Sequence, residues 1–251
     1  MTLWPLRALF GGRKAPSTPE SALAPPVPDD ADQPAPARAQ AARQVGAKLG
    51  RNPLVERLGD TRLNLFLRPD FASPDECARL CAMIDAGAQP SVLFAGTQAP
   101  EYRTSHSCHM DADDPLVRVI TARICALTGM DPRHAEMIQG QRYTPGQEYR
   151  AHWDYFPQND TYWPHMRDTG GQRTWTAMLY CNPVEAGGET QFVTTGLAVV
   201  PMAGALLVWN NMGPDGAPNI DSAHSAAPVT AGRKYVLTLW FRERPWLEKP
   251  A

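Results

Sequence analysis

The runs MIQGQRY (137–143), TWTAMLYC (174–181), TQFV (190–193), LAVVP (197–201), GALLVW (204–209) and KYVLTLWF (234–241) decide the fold. Each is short and rich in aliphatic, aromatic or β-branched residues, the types that suit a pleated, partly buried surface. Turn formers such as Pro145-Gly146, Gly187-Gly188 and Ala231-Gly232 stand between them. Short strands with turn signals and no helical stretch between them imply an antiparallel sandwich or barrel over about 136–242.

Working outward, the preceding segment changes period. Ser73-Pro74-Asp75-Glu76 offers an N-cap, a proline at the first helical position and acids in the first turn. The stretch CARLCAMIDAGA (77–88) follows, with Leu80, Met83 and Ile84 on one helical face. A second helix is expected over Pro115–Thr128, where Val117, Ile120, Ile124 and Leu127 share a stripe. These helices should cover one face of the sheet structure. The fold class is therefore mainly β with flanking helices, of the α+β kind.

Upstream of about residue 40 the composition shifts again. Pro5, Pro16, Pro19, Pro25, Pro26, Pro28, Pro34 and Pro36 lie among Ala, Ser, Asp and Gln. Such a stretch buries too little apolar area to offset its ordering entropy, so 1–40 reads as a disordered tail. Residues 41–58 read as a helical linker and 59–247 as the folded domain. Met1–Phe10 is apolar but broken by Pro5 and Arg7, and no run approaches the ~18 residues of a membrane span. A cytoplasmic protein with no membrane span is the expectation.

The charges are 24 Lys plus Arg against 26 Asp plus Glu, a formal net of -2, which argues against a uniform basic footprint for nucleic acid. Lysine is scarce, being limited to Lys14, Lys48, Lys234 and Lys249. Cys77, Cys81, Cys108, Cys125 and Cys181 make an odd, scattered set without a second pair to complete a zinc site. Reduced thiols in a reducing compartment are expected.

Three residues carry metal-ligand chemistry: His152 and Asp154 in YRAHWDYF (149–156), and His224 in DSAHSAAPV (221–229). Two imidazoles and one carboxylate on one side of an ion leave positions open, as in non-heme Fe(II) oxygenases. H-x-D on a strand places both side chains on the same face. Ten residues after His224, Lys234 occupies a strand that reads as buried, where an ammonium needs an anionic partner. A dicarboxylate would serve. Tyr143 and Thr176 carry hydroxyls that could join Lys234 on one of its carboxylates.

Together these residues give the chain a resemblance to the iron(II)- and 2-oxoglutarate-dependent dioxygenases of the prolyl 4-hydroxylase type. It rests on RYTPGQEYRAHWD (142–154), QRTWTAMLYCNPVEAGGETQF (172–192) and HSAAPVTAGRKYVLTLWFRE (224–243), with RTS (103–105) matching more loosely. The resemblance covers roughly 60–245. It implies a double-stranded β-helix, or jelly roll, with His152, Asp154 and His224 as catalytic iron ligands. Lys234, Tyr143 and Thr176 would bind 2-oxoglutarate. Tyr149, Trp240 and Arg103 would line the substrate groove. The implied cofactors are Fe(II), 2-oxoglutarate and O2, with ascorbate as reductant, and the implied partner is a proline-containing protein or peptide. The implied reaction is prolyl hydroxylation coupled to decarboxylation of 2-oxoglutarate to succinate and CO2.

Other features bear on substrate choice. The polar, aromatic segment 155–172 reads as a mobile loop over the groove, and His165 within it as a solvated residue. Collagen-type relatives carry a peptide-binding domain ahead of the catalytic part; none is read here, so a collagen substrate is not expected. The same chemistry on another residue, a free amino acid or a small metabolite stays open, as does a non-catalytic iron- and 2-oxoglutarate-binding sensor. A zinc hydrolase is disfavoured, since no H-E-x-x-H, G-x-S-x-G or phosphate loop occurs. The oligomeric state is not assigned.

Overall fold

A computed structural model describes residues 35–58, 60–92, 100–158 and 161–246. Its larger sheet runs, in spatial order, β1 (Glu56–Leu58), β2 (Leu65–Arg68), β11 (Leu206–Asn210), β7 (Arg173–Tyr180), β14 (Lys234–Arg242), β5 (Gln139–Tyr143), β4 (His106–His109) and β3 (Gln89–Pro90). The smaller sheet runs β10 (Leu197–Val199), β9 (Thr190–Phe192), β12 (His224–Ala226) and β6 (Tyr149–His152). β8 (Ala186–Gly187) and β13 (Val229–Ala231) form a separate ribbon. Neighbouring strands are antiparallel throughout.

The alternation of side chains along a strand sorts the core into two layers. Trp175, Ala177 and Leu179 of β7 and Leu237, Leu239 and Phe241 of β14 face the helices α2 (Pro74–Gly87) and α3 (Pro115–Thr128), meeting Leu80, Ile84, Val117, Ile120 and Ile124. Met178, Tyr180, Leu207, Trp209 and Val236 point the other way, onto Phe192, Val199 and Ala226 of the smaller sheet. The larger sheet is therefore covered on both faces, which is why its central strands read as continuous apolar runs. This is the expected jelly-roll core with helices on one side.

The helices stop and start where capping chemistry places them. Ser73 Oγ accepts from Glu76 N at 3.2 Å while Glu76 Oε2 accepts from Ser73 N at 2.8 Å, a reciprocal cap. Asp114 caps α3, and Gly129 ends it with φ 79°. Caps of this kind are worth about 1 kcal/mol each.

Two expectations change. Residues 1–34 of the expected tail lie outside the described residues, but α1 (Pro36–Gly50) begins inside its last part, and Val45 and Leu49 join the main core. The stretch 41–58, expected as a helical linker, is helical as far as Gly50 but packs into the core, and β1 extends the larger sheet from Glu56. At its N-terminus α1 docks on the β11–β12 connection, where Arg38 Nε donates to Gly216 O at 2.7 Å and Ala35 N to Asp215 O at 3.0 Å.

The segment 155–172, expected as a mobile loop, is anchored at its base. Gln172 accepts from Phe156 N at 2.9 Å and donates to Phe156 O at 2.6 Å. It carries a short helix, α4 (Trp163–Asp168), in which Met166 is buried and His165 is exposed. Arg242 donates to Gly171 O beneath it. Among the described residues, no helix is long and apolar enough to cross a membrane. All five cysteines are free thiols.

Candidate active site

The smaller sheet brings its two histidines together by register. His224, the first residue of β12, pairs with His152, the last residue of β6. Asp154 follows just past the end of β6, on the turn rather than on the strand itself. Its Oδ1 lies 3.8 Å from His152 Nε2 and its Oδ2 lies 3.8 Å from His224 Nε2. All three residues are buried, and their ligand atoms fall within 4.8 Å of one another.

Both rings are oriented from behind. His152 Nδ1 lies 2.8 Å from Arg150 O and His224 Nδ1 lies 3.0 Å from Ser222 O, so each Nδ1–H donates to a carbonyl and each Nε2 faces Asp154. Tyr149 stacks on His152 with centroids 3.6 Å apart, and Trp209 meets His224 edge-on at 4.8 Å. Burial, reinforced by neighbouring His224, pulls the His152 pKa down to about 3, so this imidazole is neutral. Burial would raise the Asp154 carboxyl, but the two histidines, Arg173 and the Thr176 hydroxyl outweigh it and hold it ionised. Two Nε2 atoms and a carboxylate thus converge on one point. That donor set fits a divalent cation, and its neutral-imidazole chemistry fits ferrous iron.

Farther along the larger sheet, Lys234 pairs with Tyr143 across β14 and β5. The ammonium lies 5.4 Å from the Tyr143 ring centre and 5.8 Å from that of Tyr180. Tyr180 Oη donates to the buried Thr190 Oγ1 at 2.7 Å, which brings β9 into the same pocket. Burial pulls the Lys234 pKa down to about 7, partly offset by Glu189.

Thr176 is not part of this group. Its partner on β14 is Trp240, at the far end of the strand from Lys234. Its hydroxyl donates instead to Asp154 Oδ2 at 2.7 Å. Strand register separates Thr176 from Lys234; the ammonium lies instead beside the Tyr180 ring, whose hydroxyl is bonded to Thr190. Tyr143, though beside Lys234, donates its own hydroxyl to Gln141 Oε1 at 2.9 Å.

The remaining expected residues do gather around the triad. Arg103 bridges to Tyr149, with its guanidinium 4.9 Å over that ring, and bonds to Ser105 and Gln139. It is buried, whereas position alone favours a solvated charge. Trp240 shares the site-facing side of β14 with Lys234 and lies 4.1 Å from the Arg173 guanidinium. Arg173 itself is held by Glu136 through contacts of 2.7 Å and 2.7 Å.

Residues 138–242 match the 2OG-Fe(II) oxygenase superfamily. Prolyl 4-hydroxylase 1 of Arabidopsis thaliana is 31% identical over 196 residues, spanning 70% of this chain and 67% of its own length. The chain belongs to the prolyl 4-hydroxylase family.

Prolyl 4-hydroxylase subunit alpha-3 of Homo sapiens is 35% identical over 184 residues, 71% of this chain. The chain spans only 34% of that relative's length. The viral collagen prolyl hydroxylase vCPH from Paramecium Bursaria Chlorella virus-1, solved as a 2OG complex, superposes with a TM-score of 0.56 at 22% identity, over 77% of this chain and 98% of that one. That likeness carries the fold. Within this prolyl 4-hydroxylase fold, sequence reading missed Thr190, Arg173 and Glu136. Only Thr190 had a local signal, in the GGET run after β7.

Proposed function

We propose that this chain is an Fe(II)- and 2-oxoglutarate-dependent dioxygenase that hydroxylates prolyl residues in a protein or peptide. The observation that carries the reading is the buried convergence of His152, Asp154 and His224, in one sandwich with a buried lysine. Iron, held by these three residues, would supply the oxidising chemistry with O2 and 2-oxoglutarate, one oxygen atom ending in succinate and the other on the substrate carbon.

The protein's own tasks are binding and orientation. Lys234 would receive the distal carboxylate of 2-oxoglutarate, with Thr190 taking the hydroxyl role first assigned to Thr176, and with the Tyr143 and Tyr180 rings walling the pocket. No carboxylate forms an ion pair with Lys234 among the described residues, which supports an anionic ligand there. Tyr149, Trp240 and Arg103 would line the prolyl site, where stacked aromatic and guanidinium surfaces exclude water. Ascorbate would keep the iron ferrous between turnovers. The five free thiols support a reducing, cytoplasmic setting.

The test is succinate release from 2-oxoglutarate with Fe(II), ascorbate and proline-containing peptides. Peptide-stimulated release that His152→Ala abolishes is the expected result; release that no peptide stimulates would rule out the prolyl reading.

A further inference from the structure

We infer that Thr176 and Asn211 are positioning residues for Asp154, forming a relay across the sandwich that engages one carboxylate oxygen and reserves the other for the metal. The inference rests on the triad being an iron site.

Asp154 needs such support. The histidines sit on paired strands, but β6 ends at His152 and Asp154 hangs beyond the ladder. The contact that steadies its carboxylate comes from the opposite sheet, where Thr176 Oγ1 lies 2.7 Å from Oδ2. A threonine hydroxyl has one proton to give. Asn211 Nδ2 donates to Thr176 Oγ1 at 2.9 Å, so that proton goes to Asp154. A flipped Asn211 amide would draw the proton the other way and set two acceptors against each other.

Asn211 is itself held from both sides. Its backbone N–H donates to Thr174 O at 2.9 Å, and its carbonyl accepts from Asn219 N at 2.9 Å. Thr176 and Asn211 are both fully buried, at 0% exposure, yet Asn211 Oδ1 has no hydrogen-bond partner among the described residues. A buried acceptor left unsatisfied is costly, and such cost is tolerated where an orientation serves function. The orientation here leaves Asp154 Oδ1, the oxygen facing His152, without a hydrogen bond among the described residues. A carboxylate chelating through both oxygens would consume a coordination position that cosubstrate or dioxygen requires.

The experiment titrates metal-free, full-length protein with Co(II), following its visible absorption, and measures turnover separately. Thr176→Val should weaken Co(II) binding by roughly 10–100-fold and alter the spectrum. Thr176→Ser should largely restore both. Asn211→Ala should act in the same direction, and it keeps the test open if Thr176→Val fails to fold. The double variant should bind no more weakly than Thr176→Val alone, because the two residues act as one unit; a merely structural role would give additive losses. kcat should fall with little change in KM for 2-oxoglutarate. Wild-type affinity and spectrum in Thr176→Val, or additive losses, would overturn the relay while leaving the iron site standing. Wild-type protein that takes up no Co(II) would overturn the iron reading and the relay with it.

Discussion

Lys234 stands opposite Tyr143 in the β14–β5 pair, with its ammonium 5.4 Å from the centre of that ring. Tyr180 closes the other side at 5.8 Å. Two aromatic faces attract a cation but do not replace the water it loses, and burial brings its pKa down to about 7. A bound dicarboxylate would return the proton preference to the charged form.

That linkage has a definite sign. Without a bound anion Lys234 loses its charge as pH rises through about 7, so 2-oxoglutarate binding above that pH must take up a proton. Affinity should be flat below about pH 6 and should weaken by up to about tenfold per pH unit well above 7. Calorimetry across this range, with Mn(II) in place of iron, checks it. Lys234→Ala should bind weakly at every pH without this slope; a wild-type affinity that is flat up to about pH 9 would contradict the assignment.

Glu136 lies between the guanidiniums of half-buried Arg173 and buried Arg242. It takes both bonds from Arg173, and Arg242 Nε is 2.5 Å from the same carboxylate. Burial would raise the Glu136 carboxyl, but the arginines prevail and hold it below the usual range. Its contribution is therefore present above the ordinary carboxylate pKa and is lost as pH falls through the lower folded value. Glu136→Gln leaves uncompensated charge and should cost about 3–5 kcal/mol in urea unfolding near neutral pH. It should also raise KM for peptide, since Arg173 stacks on Trp240. A loss below ~1 kcal/mol would show that the network carries little of the stability assigned to it.

Gly216 is where α1 meets the catalytic body. Its φ is +85°, and a Cβ there would lie 2.2 Å from Ala35 O. Gly216→Ala should cost about 1–3 kcal/mol and expose α1 to limited proteolysis. A thermal midpoint and a cleavage pattern like those of the wild type would contradict the docking.

These features differ in how far the sequence discloses them. Ser73 with Glu76, and Asp114 with Gly129, are local chemistry, and both helices lie where such residues place them. His152, Asp154, His224 and Lys234 stand out because their side chains are costly in a β-rich interior. The partner of Thr176 is not legible in this way because it depends on strand register: Thr176 pairs with Trp240, whereas Lys234 pairs with Tyr143. Nothing within a few residues of Thr176 encodes that. The Glu136–Arg173–Arg242 network joins residues far apart in sequence, and α1 hides its docking face behind alanines such as Ala39 and Ala42.

The central claim is oxygen transfer to a prolyl carbon at the His152–Asp154–His224 site. Tandem mass spectrometry after turnover under isotopically heavy dioxygen, with Fe(II), 2-oxoglutarate, ascorbate and a panel of proline-containing peptides, tests it most directly. The account predicts one heavy oxygen on a proline, matched by an equal amount of succinate, and neither with His152→Ala. Succinate formed without any labelled proline, or labelled proline that persists in His152→Ala, would contradict it.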